Sequence, residues 1–157
     1  MSSAPVLRLV LAGAAVVEPE RYAVLGLPAD KGGRPRSSSG PDLAISLEKI
    51  FSRFSRFDRY TRWGCAAVRL ALGEAGHDAG RRRRNMGFLL SGQYGSFITD
   101  LAYYATTGDG GQFASPQLFS YTLPNVVIGE CSQPFGLTGP TYCLDGRGPR
   151  GGAALRQ

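Results

Sequence analysis

Residues 115–145 read SPQLFSYTLPNVVIGECSQPFGLTGPTYCLD. Pro124 lacks a backbone donor and suits the first turn of a helix, where that donor would go unpaired. NVVIGECSQPFG continues as an apolar helix with one carboxylate, Glu130, so helix is expected within residues 117–135. Gly136 and Gly139 permit the chain to reverse. Gly139–Pro140 makes a turn, and the following TYCLD predicts a strand over 140–145.

Working outward, NMGFLLSG predicts a second buried strand at 85–91, and YGSFITDLAYYATTGDGG a helix with an apolar face within 95–106. Near the start, VLRLVLAG predicts a strand at 6–13. Residues 28–42, PADKGGRPRSSSGPD, read as an exposed loop with a mobile centre. Asp42 can cap a helix from about Leu43, and helices are expected over parts of 42–76. Within that span FSRFSRFDRYTRW repeats every three residues. Phe51, Phe54, Phe57, Tyr60 and Trp63 form one series; Arg53, Arg56, Arg59 and Arg62 form the other. On a helix the two lie about 200° apart. A three-residue period drifts about 60° per step, so a break near Ser55–Asp58 would let two helices share the pattern. The Ala- and Leu-rich run to Leu72 should end at Gly73 or Gly76. Strands alternating with helices give an α/β class with a mainly parallel sheet. The domain is expected over residues 1–145, and GRGPRGGAALRQ at 146–157 as a weakly structured Gly/Arg-rich tail.

Composition narrows the function classes. The 157 residues are 43% hydrophobic and 19% charged, which excludes a wholly disordered chain. No apolar run approaches the ~18 residues of a membrane span. Val6–Val17 contains Arg8 and lacks the flanks of a secretory signal. The charge of +6 is carried by 16 Arg and only 2 Lys. Such a bias also follows from a GC-rich genome, and no nucleic-acid fold signature accompanies it, so nucleic acid is set aside as a partner. Cys65, Cys131 and Cys143 lie 66 and 12 residues apart, without metal-ligand spacing, and an odd number fits a reducing cytoplasm. His77 is the single histidine, so neither a His-rich metal site nor a two-histidine catalytic site can be built from this chain.

The 115–145 segment resembles the N-terminal half of the β-ketoacyl synthase family, with FGLTGP and the helix before it the most specific pieces. VLRLVLAGAAVVEP (6–19), FDRYTRWGCAAVRLALGEAG (57–76) and NMGFLLSGQYGS (85–96) are similar to the family's first strand, first long helix, and second strand with its loop. The resemblance implies a thiolase-like half domain, a place in fatty-acid or polyketide biosynthesis, and no cofactor. It also implies that the last strand leads to a nucleophilic cysteine. That position falls at Gly148, within LDGRGPRGG, and the two histidines of the family's other half are not in this chain. Acyl transfer needs an activated nucleophile, and condensation needs groups that stabilise an enolate. The expectation is therefore a non-catalytic ketosynthase-like partner or scaffold, akin to the chain-length-factor subunits. The alternatives are the N-terminal piece of a split synthase, a stand-alone binder of acyl groups or acyl carrier protein, and a frameshifted gene, suggested by the change of composition after Asp145.

Cys143 lies five residues before Gly148, but in a strand interior its thiol should be buried and inert without a base. Cys65 and Cys131 read as core, His77 as an exposed helix-end residue, and Glu130 as a surface carboxylate or an arginine's partner. Because acyl carrier proteins are acidic, Arg53, Arg56, Arg59 and Arg62, or Arg81, Arg82, Arg83 and Arg84, are candidates for docking one. With one half of the family's fold present, an apolar face is expected to be covered by a homo- or heterodimer, and the aromatic series is its candidate.

Overall fold

The computed structural model describes residues 14–18, 21–25, 36–38, 46–80, 82–108 and 110–145. Val- and Tyr-containing segments suited to a pleated surface form β1 (Ala14–Glu18) and β2 (Arg21–Leu25), and β3 (Arg36–Ser38) adds to them. The three make an antiparallel sheet, with Ala14 opposite Leu25, Glu18 opposite Arg21, and Tyr22 opposite Ser38. This corrects one expectation. Part of the 28–42 loop is a strand, since a ladder of backbone hydrogen bonds can hold a Ser-rich segment. The described strands also form two sheets, the first of them antiparallel. The expected strand at 6–13 and the tail at 146–157 lie outside the described residues.

The second sheet joins β4 (Phe88–Gly92) and β5 (Thr141–Asp145) in parallel, Phe88 beside Thr141 and Leu90 beside Cys143. Parallel strands need a crossover, and the intervening helices supply it. The alignment starts earlier, where Arg84 N–H donates to the Gly136 carbonyl (2.7 Å) and Thr138 N–H to the Arg84 carbonyl (2.9 Å).

Residues 46–50 are helical (α1). A 3₁₀ turn at Phe54–Arg56 follows, and α2 (Arg59–Glu74) starts after the N-cap Asp58. The three-residue repeat is thus divided where its drift required. Beyond α2, Gly76 takes a φ of 75°, and His77 N–H donates to the Leu72 carbonyl at 2.7 Å. α3 is Phe97–Ala105 and α4 Pro116–Phe119, and α5 is Val126–Phe135 with Asn125 as N-cap. Pro124 stands just before that cap, outside the first turn; its carbonyl accepts from Tyr60 Oη at 3.0 Å.

α2 lies against β1 and α5. Gly64 makes the helix contact close: a Cβ there would sit 2.6 Å from Val127 Cγ1. Around this contact Phe51, Phe57, Cys65, Val127, Cys131 and Phe135 are buried. Phe51 packs edge-on against Phe57 (5.7 Å between centroids) and Phe135 (6.0 Å). The aromatic series therefore fills the chain's own core and is not the bare face expected of it. Phe54, Tyr60 and Trp63 are half-buried, while Arg53, Arg56, Arg59 and Arg62 are exposed.

Candidate functional site

In an open parallel sheet ligands bind beyond the carboxyl ends of the strands, where loops diverge. Here that place is occupied by a cavity of about 460 Å³. Gly92 to Gly95 close it from the end of β4, Cys143 and Leu144 from β5, and Leu123, Pro124 and Asn125 from the approach to α5. Tyr60 reaches in from α2. Burial, with the nearby Cys143 and Asp58 adding to it, pushes the Tyr60 phenol up to about 12. Tyr60 is thus a neutral donor at physiological pH and cannot serve there as a base.

Cys143 occupies the predicted strand, but its thiol is exposed, which corrects the expectation of burial. Among the described strands β5 pairs only with β4, so its surroundings stay open. Cys143 also lines a neighbouring cavity with Arg53 and Glu130. Glu130 is half-buried and sits 3.6 Å from Arg53 within the same chain. His77 lines neither cavity. Cys143 borders a recess, and covalent acylation of a thiol needs a base to activate the sulfur. Gly148 lies outside the described residues.

Cys65 and Cys131 are fully buried, their sulfurs 3.6 Å apart across the α2–α5 contact. The hydrogen bond between them and burial push the Cys65 thiol far up. Among the described residues no three His, Cys, Asp or Glu side chains converge as a metal site would need.

Several arginines have intramolecular tasks. Arg59 lies over the Trp63 ring at 4.4 Å, and Arg62 donates to the Ser55 carbonyl at 2.8 Å. Arg84 is half-buried and donates to the carbonyls of Phe135 (2.6 Å) and Asp78 (3.0 Å), so it fastens the start of the parallel alignment. Arg82 and Arg83 are exposed, and Arg81 is outside the described residues. Arg56 lines a further recess, about 430 Å³, with Arg53, Gln117 and Tyr121.

Sequence reading missed the role of Asp58. One carboxylate oxygen caps α2 by accepting from Thr61 N–H at 2.9 Å, and the other accepts from the buried Thr99 hydroxyl of α3. An Asp ahead of a helix-forming run is a capping signal, but nothing in sequence paired it with Thr99.

A parallel strand pair crossed over by helices, with a cavity at its carboxyl end, defines an α/β protein. The family model for the N-terminal domain of β-ketoacyl synthase matches residues 38–147. The chain belongs to the β-ketoacyl synthase family, and its α/β fold is the thiolase-like one of that N-terminal domain. A search of curated proteins found no match. The matched segment begins at the last residue of β3 and includes both parallel strands.

Proposed function

We propose that this chain is a non-catalytic ketosynthase-like subunit in fatty-acid or polyketide biosynthesis, acting as a partner or scaffold for an active synthase. The observation that carries this reading is the glycine at 148, three residues beyond β5, where the family resemblance calls for the nucleophile. Glycine offers nothing to acylate. The cavity at the strand ends supports it further, because His77, the single histidine, is not among the residues that line it.

An acidic acyl carrier protein is the partner that the charge favours. Arg53 and Arg56 are exposed around one recess, and Arg82 and Arg83 are exposed as well. Complementary charge of this kind raises association rate and selectivity more than affinity. No described helix is long and apolar enough to cross a membrane, and a cytoplasmic setting is part of the proposal.

The test is reconstitution with a purified ketosynthase and its malonyl carrier protein. Alone, this chain should release no carbon dioxide from the malonyl thioester. Added to the active synthase, it should alter the rate or the length of the product. Condensation by the chain alone, or no effect on the synthase, would overturn the reading.

A further inference from the structure

Cys65 and Cys131 meet on the seam between α2 and α5. Three contacts tie this seam, and they rise along both helices in the same order. Tyr60 Oη donates to the Pro124 carbonyl at 3.0 Å, beside the strand-end cavity. A Cβ on Gly64 would sit 2.6 Å from Val127 Cγ1, and Cys131 Sγ donates to Cys65 Sγ at 3.6 Å. Val127 and Cys131 lie one turn apart on the same face of α5, and both are fully buried. A lone buried cysteine is explained by packing, since a thiol fills space as a small hydrophobe. Packing does not require two of them, 66 residues apart in sequence, to meet sulfur to sulfur. Bond formation does, and these sulfurs need approach by only about 1.5 Å to reach disulfide length.

We infer that Cys65 and Cys131 form a redox latch, which hydrogen peroxide converts to a disulfide that staples α2 to α5 and fixes one wall of the strand-end cavity. That wall is built from both helices. Tyr60 enters it from α2, and Leu123, Pro124 and Asn125 from the approach to α5. Gly64 is what makes the latch possible: without a side chain there, the two backbones can run close enough for a cysteine pair to be bridged.

The chemistry balances with peroxide as the oxidant. One sulfur attacks a peroxide oxygen, the O–O bond breaks, and a sulfenic acid forms; the departing hydroxide takes the thiol proton and leaves as water. The other sulfur then attacks the sulfenic sulfur. The S–S bond forms, the S–O bond breaks, and a second water leaves. Two electrons pass from the sulfurs to the peroxide oxygens. Burial decides when this happens. A thiol held neutral attacks slowly, and the hydrogen bond with Cys131, together with burial, holds the Cys65 thiol far above its ordinary range. The pair therefore stays reduced while the seam is shut and oxidises during its openings, so the latch closes on a seam that has begun to part. This inference stands on the α2–α5 seam and is independent of whether the chain lacks catalysis.

The test is oxidation of the folded full chain with hydrogen peroxide, in a Cys143→Ser background so that the exposed thiol takes no part. Intact mass should fall by about 2 Da, and non-reducing peptide mapping should join the peptides that hold Cys65 and Cys131. Closing a loop of this length should lower the unfolding equilibrium constant on the order of 1000-fold, read from the urea midpoint, and dithiothreitol should reverse the shift. Hydrogen exchange at Asn125 to Ile128 should slow by roughly tenfold or more in the oxidised form. Cys131→Ala should abolish all three effects. The principal arms use cysteines 65 and 131 intact, so they decide the matter even if that variant fails to fold. Separate sulfinic acids on the two residues, or thiols that stay reduced until the chain is fully unfolded, would overturn the latch. A disulfide that leaves exchange at Asn125 to Ile128 unchanged would overturn its hold on the cavity wall.

Discussion

Replacing Asp58 by Ala should cost this fold about 2–4 kcal/mol, the sum of losing an N-cap (about 1) and of stranding a buried hydroxyl (about 1–3). Both effects follow from the two oxygens of one carboxylate. Oδ1 accepts from Thr61 N–H at 2.9 Å at the start of α2, and Oδ2 from Thr99 Oγ1 in α3. Water cannot readily replace the second bond, because Thr99 is 7% exposed. Asp58→Asn should cost only about 1 kcal/mol, because asparagine caps nearly as well and its amide oxygen can still accept one bond. Thr99→Val combined with Asp58→Ala should recover part of the loss, with a coupling of about 1–2 kcal/mol. Urea unfolding followed through Trp63, the single tryptophan, gives each midpoint, with circular dichroism as a second probe. A loss below about 0.5 kcal/mol for Asp58→Ala would refute the bridging role. Equal losses for Asn and Ala would show that the charge matters and the hydrogen bonds do not.

Three further outcomes follow from the same geometry. Gly136 has a φ of 63° and lies against the Arg82 carbonyl, so Gly136→Ala should destabilise by at least about 2 kcal/mol in urea, through left-handed strain and a backbone clash together. The Tyr60 phenol is held at about 12, against 10.0 for the free group. Its neutral form therefore contributes stability that is complete below pH 10 and lost as pH rises toward 12; melting temperatures across that window should fall less steeply for Tyr60→Phe. With Ellman's reagent the native protein should expose one thiol, Cys143, while Cys65 and Cys131 react only on unfolding.

Much of the helical layout was legible because periodicity and capping are local. The FSRFSRFDRYTRW repeat placed aromatics inward and arginines outward, and its drift located the break before Asp58. FLLSG and TYCLD were legible as strands from short apolar runs between glycines. Three features were not. Ser37 and Ser38 pair with β2 in a segment whose sequence carries no alternation of apolar and polar residues to read. Periodicity located the apolar face of α3 but not the direction it faces, since that depends on Thr99 finding Asp58 more than forty positions away. Cys143 looked buried because a strand interior usually is; its exposure depends on how many strands flank β5, a tertiary property. The site inherits the same division. Gly148 and the single histidine were visible in sequence, whereas the cavity joining Tyr60, Gly92 and Cys143 required the parallel register.

Intact-mass spectrometry after incubation with an acyl thioester tests the central claim, that this ketosynthase-family chain carries no working nucleophile. The account predicts an unchanged mass for the native protein. A stoichiometric acyl adduct that disappears in Cys143→Ala would contradict it, and would make the exposed sulfur within β5 a displaced nucleophile.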